Sequence, residues 1–234
     1  MGFGIPCPVS PSQLSLGLEA APVLTREAFV VSASNEAAVR ALDGFPDAVG
    51  GVLAIVGPRG SGKTHLLTAW AERTGAVLLS GEMAALADFG ALQGRLVALD
   101  DAAKADDETL FHLFNMAGEA GAGLVLAARQ PPGVWEIELP DLRSRLNAVR
   151  VSLISEPDDA VLRGVLLRFF AEVSVKPSPD LLEYLVRRIE RSVPDARETV
   201  RRLIEAAAPT HRPVTRALAR EVLETETKSG DLPF

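Results

Sequence analysis

The chain has 234 residues, 47% of them hydrophobic, with a formal net charge of −7. That is enough apolar material for one substantial core, or for a medium domain beside a small one, and it excludes wholesale disorder. The negative balance and the lack of a long basic run exclude general attraction to nucleic-acid backbones, so a contact of that kind needs a local basic patch or a partner. Cys7 is the single cysteine, which rules out an intrachain disulfide or a cysteine-built zinc site and fits a reducing compartment. No run reaches the length of a membrane span, and the N-terminus lacks the charged start and apolar stretch of a signal peptide. A cytoplasmic protein without membrane contact is expected.

In chain order, residues 1–25 carry Pro6, Pro8, Pro11 and Pro22 among small and polar residues and read as a flexible leader. Phe29-Val30-Val31 reads as a short extended run, followed by a helix capped by Ser34 and ending near Leu42. A linker, Gly44 to Gly51, comes next. Apolar runs at Val52–Val56, Val77–Leu79, Leu96–Leu99 and Leu124–Ala127 alternate with segments of helical spacing, and a fifth run lies at Val149–Leu153. Alternating strands and helices predict an α/β fold: a parallel five-stranded sheet covered on both faces, within residues 26–154. Beyond Glu156 the pattern turns helical, with amphipathic segments at about 157–173, 179–190, 195–207 and 214–225, so a small all-α lid domain is expected over 155–226. Residues 227–234 read as a frayed tail.

The strongest chemical signal is Gly57-Pro58-Arg59-Gly60-Ser61-Gly62-Lys63-Thr64. It satisfies G-x-x-x-x-G-K-[ST] directly after an apolar strand and before a helix beginning near Lys63. Glycines let such a loop curl its N–H groups inward around a β-phosphate, the lysine spans β and γ oxygens, and the threonine hydroxyl serves Mg²⁺. A nucleoside diphosphate or triphosphate with Mg²⁺ is the expected ligand. A second acidic element ends the run Leu96-Val97-Ala98-Leu99-Asp100-Asp101. There Asp100 is expected to hold Mg²⁺, partly through water, and Asp101 to polarise an attacking water. An ordinary strand-end turn would carry the same residues.

Gly62-Lys63-Thr64-His65-Leu66-Leu67, the Asp100-Asp101 pair, and Phe29-Val30-Val31 followed by Asn35 together resemble the DnaA clade of AAA+ proteins over about residues 25–225. The resemblance implies that Val31 and Asn35 lie near the adenine, although Ser32 stands where the family has glycine. It also implies that Pro140-Asp141-Leu142-Arg143-Ser144-Arg145-Leu146 carries an arginine finger at Arg145, acting on a nucleotide held by a neighbouring subunit. A surface arginine on a short helix is the plainer reading. The interval between the second strand and Asp100 is short, which is similar to the Hda group of DnaA-related regulators. The sequence stops soon after its last predicted helix, so no DNA-reading domain like that of DnaA is expected.

Gln13-Leu14-Ser15-Leu16-Gly17-Leu18 resembles the motif by which Hda-group proteins bind the sliding clamp, with Gln13 at the pocket rim and Leu14, Leu16 and Leu18 supplying apolar contact. A tolerated tail with three leucines would look the same. Asp231-Leu232-Pro233-Phe234 has a comparable ending without the glutamine.

Two departures from the family pattern bear on hydrolysis. Arg129 occupies the acidic sensor position, and a guanidinium cannot accept a hydrogen bond from an attacking water. The second sensor arginine aligns with Asp195, with Arg191 and Arg197 nearby; Pro194 can shift the helix start so that Arg197 takes the role. The resemblance therefore implies a protein that binds ADP or ATP with Mg²⁺ and has weak or no ATPase of its own. It would act with the DNA-loaded sliding clamp to promote hydrolysis of DnaA-bound ATP, meet DNA only through the clamp, and be able to form a homodimer. A DnaC-like helicase loader shares the core but carries a longer N-terminal region. A small-molecule P-loop kinase would need neither the helical lid nor Arg145.

Overall fold

The computed structural model describes residues 24–46, 51–119, 122–210 and 212–229, with side chains left aside at 210 and 225–229. Its centre is a five-stranded sheet in the order β2-β3-β4-β1-β5. The strands are β1 (Val52–Val56), β2 (Val77–Ser80), β3 (Leu96–Asp100), β4 (Gly123–Ala128) and β5 (Arg150–Leu153). Every pairing is parallel. β4 is buried at every residue because helices cover both of its faces, which is why its sequence is continuously apolar. The edge strands β2 and β5 are only partly covered. All five strands fall where the apolar runs place them.

Alternation across the pleat divides the core in two. Leu53, Ile55, Ala98, Val125 and Ala127 pack against α1 (Glu36–Asp43) and α2 (Lys63–Thr74), chiefly through Leu42, Leu66, Leu67 and Trp70. On the opposite face Ala54, Val56, Val97, Leu99, Leu124 and Leu126 meet Leu92 of the short α3 (Phe89–Leu92), Leu110 and Leu113 of α4 (Asp107–Ala117), and Leu142 and Leu146 of α5 (Pro140–Asn147).

Helices α6 (Asp159–Glu172), α7 (Pro179–Val186), α8 (Val193–Ala207) and α9 (Arg216–Ser229) have a core of their own, built from Leu162, Leu166, Phe170, Leu181, Leu185, Leu203 and Leu218. Side-chain caps set where they begin. The Asp158 carboxylate accepts the Val161 N–H at 2.9 Å, and the Ser178 hydroxyl accepts that of Leu181 at 3.2 Å. Such caps contribute about 1 kcal/mol each. Among the described residues no helix is long and apolar enough to cross a membrane.

Several local expectations fail. Phe29-Val30-Val31 is not a strand: the segment lies irregular between turns at 27–28 and 33–35, and the Val30 carbonyl accepts from Asn35 Nδ2 at 2.9 Å rather than from a neighbouring strand. Ser34 does not cap α1; Asn35 stands at the N-cap, with its Oδ1 accepting the Ser32 N–H at 3.0 Å. Helix α7 stops at Val186, short of residue 190, and α8 starts at Val193, because Ser192 is its N-cap and Pro194 suits the first turn. Helix α9 continues to Ser229, so residues 227–229 are helical rather than frayed. Leu24 and Thr25, assigned to the leader, are already placed at the cleft described below. Gln13, Leu14, Leu16, Leu18 and the ending from Asp231 to Phe234 lie outside the described residues.

Candidate functional site

The Gly57–Thr64 loop leaves β1 at the centre of the sheet. Its start is fixed by the Gly57 N–H donating to the Ala128 carbonyl, the last residue of β4, at 3.1 Å. A Cβ on Gly57 would lie 2.3 Å from the Ile154 carbonyl oxygen, so no side chain fits there. Gly60 and Gly62 have φ of +75° and +98°, the left-handed geometry that turns successive N–H groups to one side. Lys63, in the first turn of α2, is buried, and its ammonium donates to the carbonyls of Gly57 at 2.8 Å and Pro58 at 2.7 Å. Burial lowers the Lys63 pKa, while the carboxylates of Asp100 and Asp101 oppose that fall. The Ser61 hydroxyl also donates to the Pro58 carbonyl, at 2.9 Å, and stiffens the loop.

The two aspartates end β3 beside the loop. Thr64 Oγ1 donates to Asp100 Oδ2 at 2.7 Å, and Asp100 Oδ1 accepts the Asp101 N–H at 3.0 Å. Asp101 adopts φ of +48°, and its carboxylate lies 3.0 Å from Lys104 Nζ, which also donates to Glu82 at 2.8 Å. The adjacent oxygens of Thr64 and Asp100 suit a hard cation such as Mg²⁺. Among the described residues no group of three or more His, Cys, Asp or Glu side chains gathers a metal by itself. A cation here would therefore be shared with a phosphate, which is how Mg²⁺ is commonly held.

The loop opens into a cleft of about 700 Å³ between the sheet and helices α6 and α8. Arg59, Lys63, Arg129, Arg168 and Arg197 line it against only Asp100 and Asp101, so positive charge gathers here in a chain of net charge −7. The remaining wall is apolar, including Leu24, Phe29, Val30, Val161, Val165 and Phe169. A polyphosphate joined to a flat ring matches both ends: anion cradle at the loop, apolar slot beneath the lid.

The apolar wall is held by tethers from distant parts of the chain. His65 Nε2 donates to the Thr25 carbonyl at 2.8 Å and meets the Phe29 ring edge-on at 5.2 Å. Arg168 Nη1 donates to the Ala28 carbonyl at 3.2 Å. Val30 packs over Gly164, where a Cβ would come within 2.8 Å of Val30 Cγ2. Asn35 lines the cleft, but both ends of its amide are engaged with the backbone of Ser32 and Val30, so it shapes the wall. Val31, expected beside the adenine, is 43% exposed and does not line the cleft; Val30 does.

The start of α8 turns Asp195 and Arg197 in different directions. Two residues along a helix differ by about 200° in direction, so they cannot share a face. Arg197 lines the cleft, whereas Asp195 borders a separate groove with Glu198 and Arg202. Arg191 is turned to the Pro157 carbonyl and Asp159. Arg129 lines the loop end of the cleft just beyond β4. Arg145 is elsewhere: on α5, 40% exposed, with Nη1 donating to Asn115 Oδ1 at 2.8 Å, Nη2 2.9 Å from Asp141 Oδ2, and its guanidinium 5.2 Å from the Phe111 ring centre.

Arg168, Phe169 and His65 line the cleft without having been singled out from the sequence. Arg168 had a legible signal: it prolongs the stripe Val161, Val165 along α6, a basic residue on an otherwise apolar helix face.

No family model matches the chain. It is 28% identical over 200 residues to the chromosomal replication initiator protein DnaA of Thermomicrobium roseum, covering 74% of this chain and 43% of that protein. The DnaA of Cutibacterium acnes gives the same identity over 200 residues, covering 74% and 40%. The chain thus spans about two fifths of the length of these curated relatives. Domain III of Thermotoga maritima DnaA superposes with a TM-score of 0.74 at 20% identity, covering 88% of this chain and 97% of that one. AMPPCP-bound DnaA from Aquifex aeolicus gives 0.69 at 20% identity, covering 89% and 70%. A variant of Thermotoga maritima RuvB gives 0.64 at 16%, covering 86% and 72%. The architecture is the AAA+ P-loop fold, and the sequence similarity is to the DnaA clade.

Proposed function

We propose that this protein is an adenine-nucleotide-binding regulator of replication initiation, of the Hda type. It holds ADP or ATP with Mg²⁺ in its own cleft and presents Arg145 to ATP bound by DnaA. The observation that carries this reading is the position of Arg145, solvent-accessible on α5 and outside its own nucleotide cleft. If Arg145 serves a nucleotide, its place outside this chain's cleft requires that nucleotide to be held by another chain, where a guanidinium neutralises charge developing on the transferred phosphoryl group. The similarity to DnaA supports a role in replication initiation, and the AMPPCP bound by the Aquifex aeolicus DnaA supports an adenine nucleotide.

Within the cleft, Lys63 and the loop N–H groups would bind and orient the phosphates, while Thr64 and Asp100 would hold Mg²⁺, whose contribution is to neutralise phosphate charge. Asp101, the candidate base, is ion-paired with Lys104, and Arg129 brings a donor where an acceptor is required. Both features favour retention of nucleotide over turnover. In this reading the sliding clamp is engaged by Gln13, Leu14, Leu16 and Leu18, and DNA is met only through the clamp.

The test is hydrolysis of DnaA-bound ATP in the presence of DNA-loaded clamp, with this protein or its Arg145→Ala form. Loss of stimulation with nucleotide and clamp binding retained supports the reading. Equal stimulation by both forms overturns it.

A further inference from the structure

We infer that Glu172 restrains Arg197 and thereby sets how well the cleft distinguishes a nucleoside triphosphate from a diphosphate. Glu172 is the last residue of α6, and its two oxygens hold two different arginines of the cleft wall. Oε1 lies 3.2 Å from Arg168 Nε, and Oε2 lies 3.1 Å from Arg197 Nη1. Arg168 is at the same time bonded to the Ala28 carbonyl in the apolar wall. The Arg197 guanidinium lies 4.2 Å from the Phe169 ring centre, which fixes its plane. One carboxylate therefore joins the arginine bonded to the apolar wall at Ala28 to the arginine that α8 brings to the cleft.

Arg197 lines the cleft, and Glu172 holds it from outside the lining. A terminal phosphate and the Glu172 carboxylate compete for the same guanidinium, and the pair is weak enough to exchange because Arg197 is 41% and Glu172 37% exposed. A phosphate that reaches Arg197 draws it from Glu172, leaving the carboxylate to Arg168 alone. Glu172 is thus a positioning residue whose pull opposes binding of the ligand with the additional phosphate. This inference rests on the nucleotide-binding reading above and on Arg197 facing the phosphates.

The experiment is calorimetric titration of the full chain with ADP and with AMPPCP, each with Mg²⁺, for the unaltered protein, Glu172→Gln, Arg197→Ala and the double variant. Glu172 is exposed, so Glu172→Gln keeps the packing of α6. The expected result is a rise of about threefold to fivefold in the preference for AMPPCP over ADP in Glu172→Gln, the worth of a half-exposed ion pair. That rise should vanish when Arg197 is alanine. An equal gain for both nucleotides, or a gain that persists without Arg197, would show Glu172 acting only as a nearby negative charge and would overturn the inference. An unchanged preference in Glu172→Gln would overturn it as well. If Arg197→Ala alone binds AMPPCP as tightly as the unaltered protein, Arg197 does not meet the phosphate. If the unaltered protein binds neither nucleotide, the nucleotide-binding reading itself fails.

Discussion

The Val193 N–H donates to the Gly60 carbonyl at 3.0 Å, joining the first turn of α8 to the crest of the phosphate loop. Loop and helical lid are therefore bonded backbone to backbone, and a change in loop conformation pulls directly on the helix that carries Arg197. Gly60 is close enough that an added Cβ would lie 2.5 Å from Ser192 Oγ and 3.2 Å from Pro194 Cδ. With φ at +75°, alanine at this position is strained in both backbone and contact. Gly60→Ala should cost about 1–3 kcal/mol of stability in urea denaturation and weaken nucleotide binding, because the contact at risk is the one seating the lid.

Lys63→Ala tests the cradle itself. The ammonium is buried and reaches two loop carbonyls, so its removal takes away a loop strut and, in the proposed function, the cation that binds the phosphates. Loss of about two orders of magnitude in affinity for ADP is expected from the charged hydrogen bonds forfeited, measured by displacement of a fluorescent adenine nucleotide. A far-ultraviolet circular dichroism spectrum should remain native.

His65 gives a pH dependence. Burial lowers its pKa from the ordinary 6.5, with the bond to the Thr25 carbonyl only partly offsetting the fall. The unfolded chain then takes up this proton more readily than the folded one. Stability is therefore lost as pH falls below about 6.5 and levels off once the folded-state pKa is passed. His65→Phe removes the titrating group and the tether to Thr25, so its urea midpoint should decline less between pH 7.5 and pH 5.5 than that of the unaltered protein. An identical decline would exclude His65 as the source.

Turnover should be slow. With Asp101 paired to Lys104 and Arg129 at the end of β4, the isolated protein should hydrolyse ATP well below the order of 1 s⁻¹ usual for enzymes. A steady-state phosphate-release assay at saturating ATP measures this directly, and a rate at or above that order would remove the account of a retained nucleotide.

Clamp engagement is tested by Gln13→Ala and Leu16→Ala, which should abolish capture on immobilised sliding clamp while leaving ADP affinity unchanged. Unaltered capture would remove the clamp from the proposed function.

By itself the sequence determined the five strands and the tight glycine loop at Gly57–Thr64, because both are written in local chain chemistry. A strand buried on two faces needs a short continuous apolar run, as Leu124–Ala127 shows within β4, and the loop needs small residues at fixed spacing, as Gly57 shows against the Ile154 carbonyl. Tertiary structure decided which of several candidates line the cleft. Phe29-Val30-Val31 has strand-like composition, yet the Val30 carbonyl is taken by Asn35, and without a partner strand no ladder forms. Whether Asp195 or Arg197 faces the cleft turned on Ser192 capping α8 and on the rotation that follows from that start. The Arg168 bond to Ala28 spans 140 residues of chain and exists only because the lid folds back over the segment that precedes the sheet. Composition and spacing report what a residue can do, whereas the faces of packed helices fix which residues meet.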